Sequence, residues 1–211
     1  LRERTDCKQQ VDLLIGLMQG CKSDKSGICE DKIMNAGIDI SNIIIKTERL
    51  ILRPWKETDL EDFFEYASVD GVGEMAGWSH HKSKEDTKLI LNSFIQNKKT
   101  FAIEYKGKVI GSLGIEEYKE LPELDNKSGR ELGFVLSKDY WGRGFMPEAV
   151  KGVIDYLFNQ LQLDFIVCGH FSNNIQSEKV QKKCGFKLYK KRKYETSYGV
   201  IKDECVTILF R

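Results

Sequence analysis

The sequence predicts an α/β domain carried on a mixed β-sheet, and three observations lead there. Apolar residues recur at helical spacing in some stretches and alternate or run together in others, and the two patterns succeed one another along the chain. Turn and cap residues mark the changes, as Lys106-Gly107 does between two apolar runs and Ser83 does ahead of a helical stripe. The composition is globular, with 41% hydrophobic and 31% charged residues, 18 Gly and 3 Pro among 211 residues.

Residues 1–42 differ in character from the rest. Val11, Leu14, Ile15 and Met18 fall at i, i+3, i+4 and i+7, one face of an amphipathic helix that Gly20 would end. A second helical stretch over residues 31–36 stops at Gly37. This helical N-terminal extension reads as an appended hairpin, as a dimerisation arm that leaves a homodimer open, or as the remnant of an upstream domain. The main domain is expected over residues 43–211.

Its first strand region joins Ile43-Ile44-Ile45 to Leu50-Ile51-Leu52 and ends at Arg53-Pro54, because a residue before proline is biased to extended backbone. Thr58 or Asp59 caps a helix bearing Leu60, Phe63, Phe64 and Ala67, which residues 71–73 close. Ser83 with Asp86 opens a second helix through a capping box. Residues 101–105 and 109–115 form an antiparallel hairpin about Lys106-Gly107, and residues 130–137 add a strand. Pro147 is tolerated in the first turn of a helix carrying Ala149, Val150, Val153, Ile154, Leu157 and Phe158. A strand over residues 164–171, a helix over 175–183 and strands over 186–191 and 204–210 complete the chain.

Lys and Arg number 33 against 32 Asp and Glu, a net charge of +1, which argues against a dedicated nucleic-acid or membrane-surface binder. The longest apolar run, residues 13–18, is far short of the roughly 20 residues that span a bilayer. No secretory leader is expected. The six cysteines (Cys7, Cys21, Cys29, Cys168, Cys184, Cys205) contain no C-x-x-C pair and the three histidines no H-x-x-x-H spacing, so no metal is expected. Cys168 and Cys184 read as small buried thiols, and the compartment as reducing and cytoplasmic.

The chemistry concentrates in two segments. In Glu131-Leu-Gly-Phe-Val-Leu-Ser-Lys-Asp-Tyr-Trp-Gly142-Arg143-Gly144-Phe145-Met146-Pro147-Glu148-Ala149, a strand runs through a two-glycine loop into a helix. Unpaired amides at the helix start, the positive end of its dipole and Arg143 suit a phosphate or pyrophosphate. No Gly-Lys-Ser/Thr follows, so this is not a nucleotide P-loop. About thirty residues on comes Asn173-Asn174-Ile175-Gln176-Ser177-Glu178, ending in Gln181-Lys182-Lys183-Cys184-Gly185-Phe186.

Together these segments resemble the GNAT superfamily of acetyl-CoA-dependent N-acetyltransferases. With the opening Thr47-Glu48-Arg49-Leu50-Ile51-Leu52-Arg53-Pro54, they resemble the branch that acetylates N-termini of ribosomal proteins. The resemblance implies a mixed, mostly antiparallel sheet flanked by helices and acetyl-CoA as co-substrate. It implies that the strand before the glycine loop bulges and splays, offering backbone groups of Phe134, Val135 and Leu136 to pantetheine. Amides of Gly142, Arg143, Gly144, Phe145 and Met146 would cradle the pyrophosphate, Asn174 would hold the pantetheine, and Ser177 would lie near the sulfur. Where the superfamily often has a tyrosine as acid for the leaving thiolate, this chain has Gln181.

Transfer from a thioester needs a neutral amine, a polarised carbonyl and a proton for the sulfur. Glu131 matches the branch's candidate general base, its structural alternative being a salt-bridged strand-end carboxylate. Ser177 is the candidate acid, its alternative a helix-capping serine. Trp78, His80 and His81 are candidate acceptor contacts, and the acidic stretch over residues 116–125 could attract a cation. The expected acceptor is a primary amine, a protein N-terminus first and a polyamine or aminoglycoside second; a non-catalytic acyl-CoA-binding module is the alternative from another class.

Overall fold

The computed structural model describes residues 37–118 and 121–211, so most of the predicted extension lies outside the described residues. Ile38 and Ile40 are described and buried in the main core, and the Ile40 amide donates to the Lys98 carbonyl at 3.0 Å. The packed domain therefore takes in residues ahead of Ile43.

Strands β1 (Ile45–Lys46) and β2 (Ile51–Pro54) form the opening hairpin. Helix α1 (Leu60–Ala67) follows a single 3-10 turn, and here the expected cap differs. The Asp59 carboxylate accepts from both terminal nitrogens of Arg53, at 2.8 and 2.9 Å, and from the Lys56 amide at 2.8 Å, so it pins β2 to the turn instead of capping α1. The helix ends at Ala67, ahead of the glycines expected to close it. Helix α2 (Lys84–Asn97) opens with the predicted box: the Asp86 amide donates to Ser83 Oγ and the Ser83 amide to the Asp86 carboxylate, each at 3.1 Å.

Strands β3 (Thr100–Tyr105) and β4 (Lys108–Glu116) meet at Lys106 and Gly107, whose φ of 52° and 81° fit the mirror-image turn that matches strand twist. Then come β5 (Gly129–Leu136), α3 (Phe145–Asp155), β6 (Phe165–Phe171), α4 (Ile175–Lys183), β7 (Lys187–Glu195) and β8 (Ile201–Phe210). The last two strands run longer than predicted, because their extra residues are mostly polar and exposed and carry no apolar signal.

Among the described residues the sheet has eight strands in the order β1-β2-β3-β4-β5-β6-β8-β7. Every pairing is antiparallel except β5 with β6, which runs parallel from Gly129 opposite Phe165 to Leu132 opposite Cys168. Beyond that point the two strands part. β5 continues along β4 to Leu136, and β6 continues along β8 to Phe171. The predicted splay is present, but the predicted bulge is not: the β4–β5 register is unbroken, and the sheet's irregularities lie between Ile103 and Glu104 and between Leu188 and Lys190. β5 alternates, with Leu132 and Leu136 buried on one face and Glu131, Gly133 and Val135 partly or fully exposed on the other. Leu132, Phe134 and Leu136 pack with the core beneath α3, and Val135 packs with Trp55, Phe63 and Leu91 beneath α1 and α2. Glu131 and Gly133 share the face of Val135.

Candidate active site

A cavity of about 780 Å³ occupies the splay, and residues from both faces of the sheet line it. On the β5 side, residues 133–136 have no partner strand toward β6, so this edge of the backbone faces the cavity. Phe134, Val135 and Leu136 all line it, although the Leu136 carbonyl already accepts from the Trp141 indole at 2.8 Å.

The glycine loop forms one end. Gly142 (φ 76°) and Gly144 (φ 79°) adopt the left-handed backbone that glycine reaches without strain, and nothing lies within 4 Å of a Cβ built on Gly142. Gly144 is the cap residue of α3 and supplies no side-chain acceptor, which leaves the first-turn amides available to an anion. Pro147, third in the helix, has no amide to satisfy. The loop is braced from the opening hairpin: Arg49 donates to the Arg143 carbonyl at 3.0 Å and to Glu148 at 2.7 Å, and its guanidinium lies 4.4 Å from the centre of the Phe145 ring. Burial works to raise the Glu148 pKa, but hydrogen bonds from Thr47 and Arg49 outweigh it and hold the carboxyl below its usual range. Gly142, Gly144, Phe145 and Met146 line the cavity; Arg143 does not, its guanidinium instead lying over the Tyr140 ring at 5.3 Å.

Asn174 and Ser177 enter from α4. The Asn174 side chain caps the helix, accepting from the Ser177 amide at 3.1 Å, and donates to the Met75 carbonyl at 3.1 Å. Ser177 is buried, lines the cavity and accepts at Oγ from Gln181 Nε2 at 3.1 Å. Glu131 lies across the splay at the cavity wall, 3.5 Å from Arg192, whose Nε in turn donates to Glu204. Both the ion-paired carboxylate and the helix-start serine thus carry their structural contacts while facing the same space.

Trp78 lines the cavity, and it packs so closely over Gly73 that a Cβ there would lie 2.3 Å from the indole. His80 and His81 are placed elsewhere. His80 Nδ1 pairs with Glu74 at 2.9 Å, which staples its own loop. His81 Nδ1 pairs with Thr87 Oγ1 at 2.9 Å, and its ring packs against Phe63 and Trp78, so burial pushes its pKa down to about 4. Neither histidine, expected as an acceptor contact, is on the wall of this cavity. Of the acidic stretch, Glu116 and Glu117 line the cavity, whereas Glu123 turns away to accept from the Tyr189 hydroxyl at 2.6 Å.

Sequence reasoning did not single out Arg192, Glu204, His170 or Thr207. The first two meet because Arg192 stands opposite Glu204 in the β7–β8 register, and no spacing along the chain announces that. Gly169 carries a related trace: a Cβ there would lie 2.1 Å from the Glu204 carboxylate, so the acid folds over a position that only glycine leaves open.

Comparison with known proteins agrees with this architecture. Residues 49–187 match the family model described as Acetyltransferase (GNAT) domain. The chain is similar to the N-acetyltransferase YoaA of Bacillus subtilis, 29% identical over 150 residues that cover 68% of this chain and 82% of the relative. Among solved structures it is similar to a GNAT-family acetyltransferase from Bacillus anthracis, with a TM-score of 0.69 and 23% identity over 80% of this chain and 98% of that one. It is also similar to the ribosomal-protein-S5-alanine acetyltransferase from Vibrio fischeri, with a TM-score of 0.63 and 22% identity over 80% and 97%. The structural likenesses establish the fold, and the family match covers more than half of the sequence; the chain belongs to the GNAT acetyltransferase family and is an acetyl-CoA-dependent N-acetyltransferase.

Proposed function

We propose that residues 43–211, with Ile38 and Ile40 packed into the same core ahead of them, form the catalytic unit, that acetyl-CoA enters the splay, and that the acceptor is a protein N-terminal α-amine. The observation that carries this reading is that the glycine loop, the unpaired edge of β5, Ser177 and Glu131 all open into one cavity. Amides of residues 142–146 would hold the pyrophosphate, the backbone of Phe134, Val135 and Leu136 the pantetheine arm, and Asn174 the arm nearer the thioester. No metal enters the scheme.

An α-amine with a pKa near 8 is roughly one-tenth neutral at pH 7, so a carboxylate base is sufficient help, whereas a lysine-like amine near 10.4 would need more. The neutral amine attacks the thioester carbonyl, the C–N bond forms, and Glu131 takes the ammonium proton directly or through a water. The tetrahedral intermediate then expels the CoA thiolate, with the Ser177 hydroxyl beside the sulfur. Glu116, Glu117, Glu131 and Glu204 line the cavity alongside Lys99, a partner of Glu117, and Arg192, a partner of Glu131 and Glu204, and these four acids would favour a cationic incoming group. The α-amine reading also draws on the likeness to an enzyme named for ribosomal protein S5 alanine. Buried free thiols at Cys168 and Cys184 suit a reducing cytoplasm, and no described helix is long and apolar enough to cross a membrane.

Release of free CoA thiol is the measurement, with peptides beginning in Ala or Ser set against spermidine and an aminoglycoside, and the product identified by mass. Preferred acetylation of the peptides at the α-amine is expected. Faster turnover of spermidine or the aminoglycoside would overturn the acceptor assignment, and tight CoA binding with no acceptor turned over would overturn the proposed catalytic roles.

A further inference from the structure

Gln181 stands where the family resemblance led to the expectation of a phenolic acid, and its surroundings give it a different task. It is 1% exposed, and each of its four side-chain hydrogen-bonding positions has a partner within reach. Nε2 donates to the Gly169 carbonyl at 3.0 Å and to Ser177 Oγ at 3.1 Å. Oε1 lies 2.8 Å from His170 Nδ1 and 2.9 Å from Thr207 Oγ1. The amide cannot be turned over, because the Gly169 carbonyl is an acceptor only and must face the NH₂ group. His170 then donates from Nδ1. Thr207 directs its single proton to acceptors alone, Oε1 or the Cys168 carbonyl at 3.0 Å. One consequence follows for Ser177. Its oxygen accepts a hydrogen bond from Gln181 Nε2, and its own O–H has no protein acceptor among the described residues while the side chain lines the cavity.

From this we infer that Gln181 is a positioning residue that turns the Ser177 hydroxyl toward the leaving sulfur. The inference rests on the placement of Ser177 beside the thioester proposed above. An alcohol is a much weaker acid than a thiol, so Ser177 keeps its proton. It donates a hydrogen bond to the sulfur as the C–S bond breaks, the electron pair stays on sulfur, and solvent supplies the proton that completes CoA thiol. The proton lost by the amine leaves through Glu131, so the exchange balances without an oxidant or a metal. A buried carboxamide fixed by His170, Thr207 and Gly169 thereby does by orientation what a phenol would do by acidity.

The test uses CoA and desulfo-CoA, and therefore needs no acceptor. A hydroxyl that donates to sulfur favours the thiolate, which makes the bound thiol more acidic than the thiol of free CoA. In the wild type, the CoA affinity relative to desulfo-CoA should rise about tenfold between pH 7 and pH 10. The desulfo-CoA reference cancels what the other groups on the wall contribute, among them His170, Cys168, Lys179, Tyr194, Glu131 and Arg192. Ser177→Ala should abolish the rise, and Ser177→Thr, which keeps a hydroxyl, should retain it. Gln181→Met removes the donor, and Gln181→Glu keeps the shape but draws the Ser177 proton to itself; each should leave less than about a twofold rise. A full rise in both Gln181 variants, with Ser177→Ala flat, would overturn the positioning role and leave Ser177 at the sulfur. A flat wild type, or an undiminished rise in Ser177→Ala, would remove Ser177 from the sulfur and the inference with it.

Discussion

Glu131 is both the partner of Arg192 and a carboxylate on the cavity wall, and its proposed role as general base is the one that a substitution can isolate. Glu131→Gln keeps the shape and removes the base, so kcat near pH 7 should fall by about 10²–10⁴ while the acetyl-CoA Kd stays within about twofold. The deficit should shrink toward pH 9 as more of the amine is neutral; equal rates for variant and wild type across that range would remove Glu131 as base. His81, another candidate site residue, also has a measurable role in folding through its burial. Burial lowers its pKa to about 4, with His80 adding to the effect and Asp86 opposing it. As pH falls, the unfolded chain takes up the proton first, near 6.5, so the contribution of His81 to stability is complete above that value and lost toward pH 4. Urea melts of wild type and His81→Gln should therefore differ in slope over that window, by up to about 2–3 kcal/mol, and parallel curves would contradict the burial argument. A histidine in a loop gives no sign in the sequence of whether it faces a cavity or a core. That is why the pair His80 and His81 was legible as chemistry but not as placement.

Elements that depend on neighbours in sequence were legible, and those that depend on neighbours in space were not. The capping box at Ser83, the Lys106-Gly107 turn and the start of α4 at Asn174 are each specified within a few residues. The parting of β5 from β6 entered through family resemblance alone, since nothing in residues 133–136 says that a neighbouring strand departs. The same holds for Arg192 against Glu204, which only the strand register brings together. The glycine loop lies between these cases, local in sequence and aimed at a ligand. A Cβ on Gly142 would meet no protein atom, so Gly142→Val should cost only the strain of a left-handed backbone, about 1–2 kcal/mol, yet place a side chain where the anion would rest. Gly107 supplies the control, with a similar φ of 81° and equally open surroundings in a hairpin turn. Both variants should lose comparable stability in thermal melts, but only Gly142→Val should lose acetyl-CoA affinity, by at least about tenfold. Equal affinities in calorimetric titration would detach the loop from the cofactor.

At the scale of the whole molecule, a net charge of +1 conceals a division that the fold sets up by bringing different segments to one cavity. Lys179 and Lys183 of α4 line it, on a helix whose following Cys184 lies 3.6 Å from the Pro147 carbonyl after the glycine loop. Glu116 and Glu117, from the end of β4 and the residue after it, line it together with Glu131 and Glu204, next to Lys99, a partner of Glu117, and Arg192, a partner of Glu131 and Glu204. If the lysines of α4 attract the anionic donor and the acids the cationic acceptor, the two attractions should be separable by substitution. Glu117 is the probe of choice, because its half-exposed carboxylate lies 3.7 Å from Lys99 and supports no core packing. Charges this exposed act through water and are screened over about 8–10 Å at moderate ionic strength. Glu117→Gln should therefore raise the acceptor KM about two- to fivefold at low salt, with the effect fading as salt is added, and leave the acetyl-CoA KM unchanged. An equal rise for both substrates would mean that the carboxylate shapes the cavity as a whole; a rise that survives molar salt would mean a direct contact with the amine in place of long-range steering.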